Sequence, residues 1–118
     1  MHKRGELEFL KDIVEAIERV EFYTNDRDYE EFLQDIRTQD AVVRNIEIVG
    51  EASKNIPSNI KRKYQNVEWK ELAGIRDKIV HFYFGIRWTI VWSVVKDKLP
   101  ALKEKINVII KDLEKNDS

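Results

Sequence analysis

The chain has 118 residues, 42% of them hydrophobic, enough for one domain with a real core and too few to divide into two. Lys and Arg number 21 against 22 Asp and Glu, a formal net charge of −1, so no global basic field recruits nucleic acid; any RNA or DNA contact must come from a local patch or from an oligomer. The absence of cysteine excludes disulfides, thiolate nucleophiles and thiolate metal sites together.

The opening stretch "MHKRGELEFLKDIVEAIERV" is too charged for a secretory signal, and nowhere do apolar residues run long enough to span a bilayer. A single domain over residues 1–118, cytoplasmic and without membrane association, is the expectation. Four Gly and two Pro in the whole chain, with almost no strict apolar and polar alternation, predict helices nearly throughout.

In the first segment Leu7, Leu10, Ile13, Val14, Ile17 and Val20 fall three or four apart and form one apolar stripe, predicting a helix that ends near Tyr23. "TNDRDYEEF" then supplies a turn, and Asp28 with Glu31 has capping-box spacing, so a second helix is expected to start there and run unbroken to about Asn55. Around Val42, Val43, Ile46, Ile48 and Val49 it is apolar on most of its circumference, which requires more than one neighbour. A short helix is expected over Ser58 to Tyr64, and a longer one from about Glu68 to Phe84 with Gly85 as its C-terminal cap. Trp88, Val91, Trp92, Val95 and Leu99 keep helical spacing. "KDKLP" is then expected to interrupt the run, Asp97 being a candidate cap and Pro100 belonging to a first turn. The last helix is expected to bury Leu102, Ile106, Ile109, Ile110 and Leu113. Short connections between such helices predict an all-α fold, an antiparallel up-and-down bundle of four main helices with short extra ones.

Chemistry-bearing residues concentrate in "GIRDKIVHFYFG", residues 74–85. On a regular helix Asp77 and His81 would share a face, separated by roughly 40°, so the carboxylate could orient the imidazole and favour its protonated form. Arg76 and Tyr83 would share a face too, whereas Arg76 and His81 would diverge by roughly 140°. A lone histidine on an apolar helix is more often a hydrogen-bonded core residue than a catalyst, and spacing alone favours that reading. Upstream, Arg44, Glu47, Glu51 and Lys54 form a polar stripe whose plain explanation is a solvated row of ion pairs. No phosphate-binding glycine loop is present, and with His2 the only other histidine there is no pair at metal-ligand spacing. Neither a metal nor a cofactor is expected.

The blocks "RNIEIVGEASKNIP", "WKELAGIRDKIVHFYFGI" and "IVWSVVKDKLPALKEKI" resemble, in this order, the HepT-like family of HEPN proteins (higher eukaryotes and prokaryotes nucleotide-binding domain). The resemblance runs from residue 42 to the end. It implies a dimeric helical bundle with the signature R-x-x-x-x-H-x-Y, matched by Arg76, His81 and Tyr83. In the family these residues form a metal-independent endoribonuclease site, with the motifs of two subunits meeting across the interface. That would answer the divergence of Arg76 and His81 on one helix.

The resemblance further implies the toxin of a two-gene toxin–antitoxin module, held in check by a minimal nucleotidyltransferase antitoxin, MntA, that attaches adenylate to the motif tyrosine, here Tyr83. His81 and Arg76 are then the catalytic candidates, and Asp77, Glu51 and Arg44 take supporting roles. Asp77 replaces the Asn frequent in the family, which places a phosphate-repelling carboxylate beside the motif. Arg87 and Trp88 stand where an acidic residue is common. The competing expectation is a non-catalytic HEPN dimer that binds a nucleotidyltransferase or a nucleotide without cutting RNA.

Overall fold

The computed structural model describes residues 5–81 and 85–117. Its architecture is all-α. The first long helix, α1 (Glu6–Thr24), carries Glu6 and Glu8 in its first turn, where the positive end of the helix dipole favours them. Leu10, Ile13, Ala16, Ile17 and Val20 form its buried face, with Leu7 and Val14 half-buried beside them. Each fully buried Leu, Ile or Val of this face contributes roughly 1.5–3 kcal/mol by leaving water, and this stripe provides most of the reason for α1 to fold.

The capping box forms as the sequence suggests: the Glu31 N–H donates to Asp28 Oδ1 at 2.8 Å and the Asp28 N–H to Glu31 Oε1 at 3.0 Å. The helix it starts, however, is only α2 (Tyr29–Leu33). A second cap intervenes. Asp35 accepts from the Thr38 N–H at 3.1 Å and from the Thr38 hydroxyl at 2.8 Å, and its carboxyl lies below the ordinary aspartate range chiefly because of that backbone bond. The expected unbroken helix from Asp28 to Asn55 is therefore two, the second being α3 (Ile36–Lys54). The break lets Phe32 turn fully into the core, against the rings of Trp88 and Trp92.

Helix α3 packs on α1 and on the segments that follow it, which is what its broad apolar circumference required. After α4 (Ser58–Lys63), the Trp69 indole donates to the Tyr64 carbonyl at 3.0 Å and the Tyr64 hydroxyl to Asp112 Oδ2 at 2.8 Å, tying this connection to the far end of the chain.

The expected helix over 68–84 is the largest departure. It divides into α5 (Trp69–Ala73) and α6 (Ile75–Ile79) about Gly74 and then gives way to extended backbone. Strand β1 (Val80–His81) pairs antiparallel with β2 (Gly85–Ile86), with Val80 opposite Ile86 and His81 opposite Gly85. Gly85, with φ of +80°, belongs to this pair and caps no helix. Its left-handed backbone is one that a side chain disfavours. The Arg87 N–H closes the excursion by donating to the Ile79 carbonyl at 2.8 Å.

Beyond it, α7 (Trp88–Ser93), a π-helical turn (Val94–Lys98) and α8 (Leu99–Asp117) follow without a gap. "KDKLP" thus widens the helix instead of interrupting it. Proline has no N–H and its ring clashes with the carbonyl four residues back, so a wider turn ahead of Pro100 accommodates it. The Leu99 N–H accordingly reaches the Val94 carbonyl, five residues back, while Asp97 caps nothing and accepts from the Ser93 hydroxyl. Helix α8 buries Leu102, Ile106, Ile109 and Ile110, with Leu113 half-buried. Lys11 pairs with Glu114 and Lys103 with Glu21, so α1 and α8 run antiparallel.

Candidate active site

Helix α6 has five residues, and Ile75 and Ile79, four apart, are its buried anchors. Arg76, Asp77 and Lys78 between them face solvent. The α6 anchor lies unusually close to α3. A Cβ built on Gly50 would stand 3.2 Å from Ile75 Cγ2 and 3.2 Å from the Leu72 carbonyl oxygen, so a residue without one lets the two segments approach.

One turn before Gly50 on the same helix, Glu47 reaches Arg76: the guanidinium Nε donates to Glu47 Oε2 at 3.2 Å. Arg76 Nη1 also lies 4.0 Å from Asp77 Oδ1. The two contacts differ in weight. The Glu47 side chain is 33% exposed and the Asp77 side chain 90% exposed, so water screens the second far more than the first.

Helix α6 is also held from its outer side. Lys78 Nζ lies 3.4 Å from Glu71 Oε1 on α5, and Lys98 from the π-helical turn bonds the same carboxylate oxygen. Chiefly because Lys98 donates to it, the Glu71 carboxyl is pulled down to about 2, and the same bond pushes the Lys98 ammonium up. The clamp ties α5 and α6 to the π-helical turn that leads into α8.

Sequence and structure diverge most at the histidine. Because α6 ends at Ile79, the four-residue spacing from Asp77 to His81 does not put them on one helical face. The helical angle between Arg76 and His81 is equally inapplicable, since His81 belongs to β1. Its backbone faces Gly85; its side chain, and the whole of Tyr83, lie outside the described residues.

Arg44 and Glu51 are exposed on α3 and line, with Glu47, a groove of about 280 Å³ bounded by Phe9 and Asp12 of α1. The polar stripe is only partly a row of ion pairs. Glu51 pairs with Lys54 at 3.3 Å, but Glu47 turns across to Arg76. The residue that sequence reasoning left out of the site is therefore Glu47, and Gly50 with it. Their three-residue spacing in "EIVG" was the one available signal. No group of three or more His, Cys, Asp or Glu suited to a metal ion occurs among the described residues, and no described helix is long and apolar enough to cross a membrane.

The chain is similar to known proteins along nearly its whole length. A family model described as "Ribonuclease HepT-like" matches residues 13–109. The chain belongs to the HepT-like ribonuclease family. It is 46% identical over 109 residues to "Probable ribonuclease HepT" of Thermococcus cleftensis, covering 92% of this chain and 99% of that one. It is also 44% identical over 117 residues to "Putative RNase MJ0127" of Methanocaldococcus jannaschii, covering 99% and 97%. No solved structure matches.

Proposed function

We propose that the chain is a metal-independent endoribonuclease, the toxin of a HEPN/MNT-type toxin–antitoxin module, whose site is completed when two four-helix bundles pair across their motif segments. One observation carries this reading: in a chain of the HepT-like family, Arg76 of the R-x-x-x-x-H-x-Y motif stands 59% exposed on α6, whose last residue lies one residue before the strand that includes His81, and among the described residues its terminal nitrogens donate no hydrogen bond, Asp77 lying 4.0 Å away.

The proposed reaction cuts single-stranded RNA without a metal. A ribose 2′-hydroxyl attacks the adjacent phosphorus while a neutral His81 takes its proton. The bond to the 5′-oxygen of the next nucleotide breaks, and that oxygen receives a proton from a protonated His81 of the second copy, leaving a cyclic phosphate. An ordinary imidazole pKa of about 6.5 populates both forms near neutrality. Arg76 holds the phosphate and stabilises the charge that grows on its oxygens, which its planar fork does better than an ammonium.

Purified Arg76→Ala and His81→Ala chains, shown to be folded by circular dichroism, should each cleave a fluorescent single-stranded RNA at least about 100-fold more slowly than the parent. Cleavage at the parental rate in either variant removes that residue from the mechanism. The exposed carboxylate of Asp77 beside Arg76 favours a second reading, a HEPN dimer that binds its nucleotidyltransferase without cutting RNA. A parent chain that binds the transferase but leaves RNA intact selects it.

A further inference from the structure

We infer that Glu47 is the positioning residue of Arg76: by accepting from Nε it fixes the guanidinium plane and leaves the two terminal nitrogens to receive a phosphodiester. This rests on the ribonuclease reading above and adds a residue to it.

The argument begins with donor arithmetic. A guanidinium has one N–H on Nε and four on the terminal nitrogens, and the terminal pair makes a fork that matches two phosphate oxygens. A partner on Nε constrains the plane without occupying that fork. Glu47 has this place, 3.2 Å from Nε. Asp77, on the Nη1 side at 4.0 Å, is too far for a hydrogen bond and too exposed to hold the group.

The backbone supports the assignment. Glu47 and Gly50 lie three apart on α3, hence on one side of it, and Arg76 follows Ile75 on α6. The close contact of Gly50 with Ile75 brings the two segments together at that point. The carboxylate can therefore bridge 29 residues of sequence with a single short side chain. An arginine left free on a surface helix samples many rotamers and must give that freedom up when phosphate arrives; one already held by Nε has less to lose.

The test compares Glu47→Ala with Glu47→Gln. Gln retains an oxygen for Nε–H but no charge, so orientation and net charge separate. On single-stranded RNA, Glu47→Ala should lower kcat/KM by about 10-fold or more, Glu47→Gln should recover most of it, and in an Arg76→Lys background, which lacks Nε, Glu47→Ala should add nothing. Independently of activity, the Arg76 Nε–H followed by nitrogen-15 NMR should exchange slowly in the parent and Glu47→Gln and rapidly in folded Glu47→Ala.

Equal losses in Ala and Gln, or an unchanged kcat/KM in Glu47→Ala while Arg76→Ala is inactive, overturn the positioning role and leave the ribonuclease reading standing. Undiminished cleavage by Arg76→Ala, or none by the parent, overturns the ribonuclease reading. The NMR exchange then decides by itself whether Glu47 holds the arginine.

Discussion

Tyr83 shows what a single residue of the motif can control. Under the proposed function a partner nucleotidyltransferase esterifies its hydroxyl with adenylate, which sets a phosphodiester in the motif that also holds Arg76. That phosphate competes for the guanidinium fork and adds bulk where RNA must enter. Coexpression with the transferase should give a chain whose intact mass carries adenylate, and Tyr83→Phe should abolish the increment; a full mass shift in Tyr83→Phe places the modification elsewhere. Residues also differed in how readable they were. Arg76 and His81 could be picked out from a linear motif, whereas Glu47 has the same composition and spacing as any member of a helical ion-pair row. Only its distance to Arg76 distinguishes it.

At the scale of elements, the segment from Trp69 to Trp88 decides the geometry of the site. The apolar residues of "IVHFYFGI" fit a helical period and so predict helix. Its β-branched and aromatic residues followed by Gly carry an equally valid strand signal, and the structure resolves the first part of it as α6 followed by β1. Such a short helix depends on its tethers, and the Lys78–Glu71–Lys98 clamp is one of them. Because the folded Glu71 carboxyl lies near 2 and an unfolded one near the ordinary glutamate value, its contribution is fully present above about pH 4.5 and is lost as pH falls toward 2. Glu71→Gln should therefore cost about 1 kcal/mol in urea unfolding at pH 7, the scale of a partly exposed charge cluster, and almost nothing near pH 2. A pH-independent loss would show that Glu71 acts by packing and not by charge.

The whole molecule sets the conditions for chemistry. With a net charge of −1 it has no long-range attraction for RNA, so cations must be gathered locally, and pairing two motif segments is the proposed way to gather them. Specific activity should consequently fall when the protein is diluted through the concentration at which sedimentation shows dimers separating; activity per chain that stays constant through that range would establish that one copy is a complete site.

The helical class, the stripes of α1 and α8, the capping box at Asp28 and the membership of the HepT-like family were all written in the sequence, because period, cap chemistry and family-like blocks are local properties of neighbouring residues. The second cap at Asp35 was local too, in the pattern Asp-x-x-Thr, but a continuing helical period masked it. What only the tertiary structure decided is which side chains meet. Gly50 against Ile75, Glu47 on Arg76, Lys98 on Glu71 and the end of α6 at Ile79 all depend on how α3, α6 and the π-helical turn pack. A helical period records which face of a segment is apolar; it carries no record of the distance at which another segment will lie.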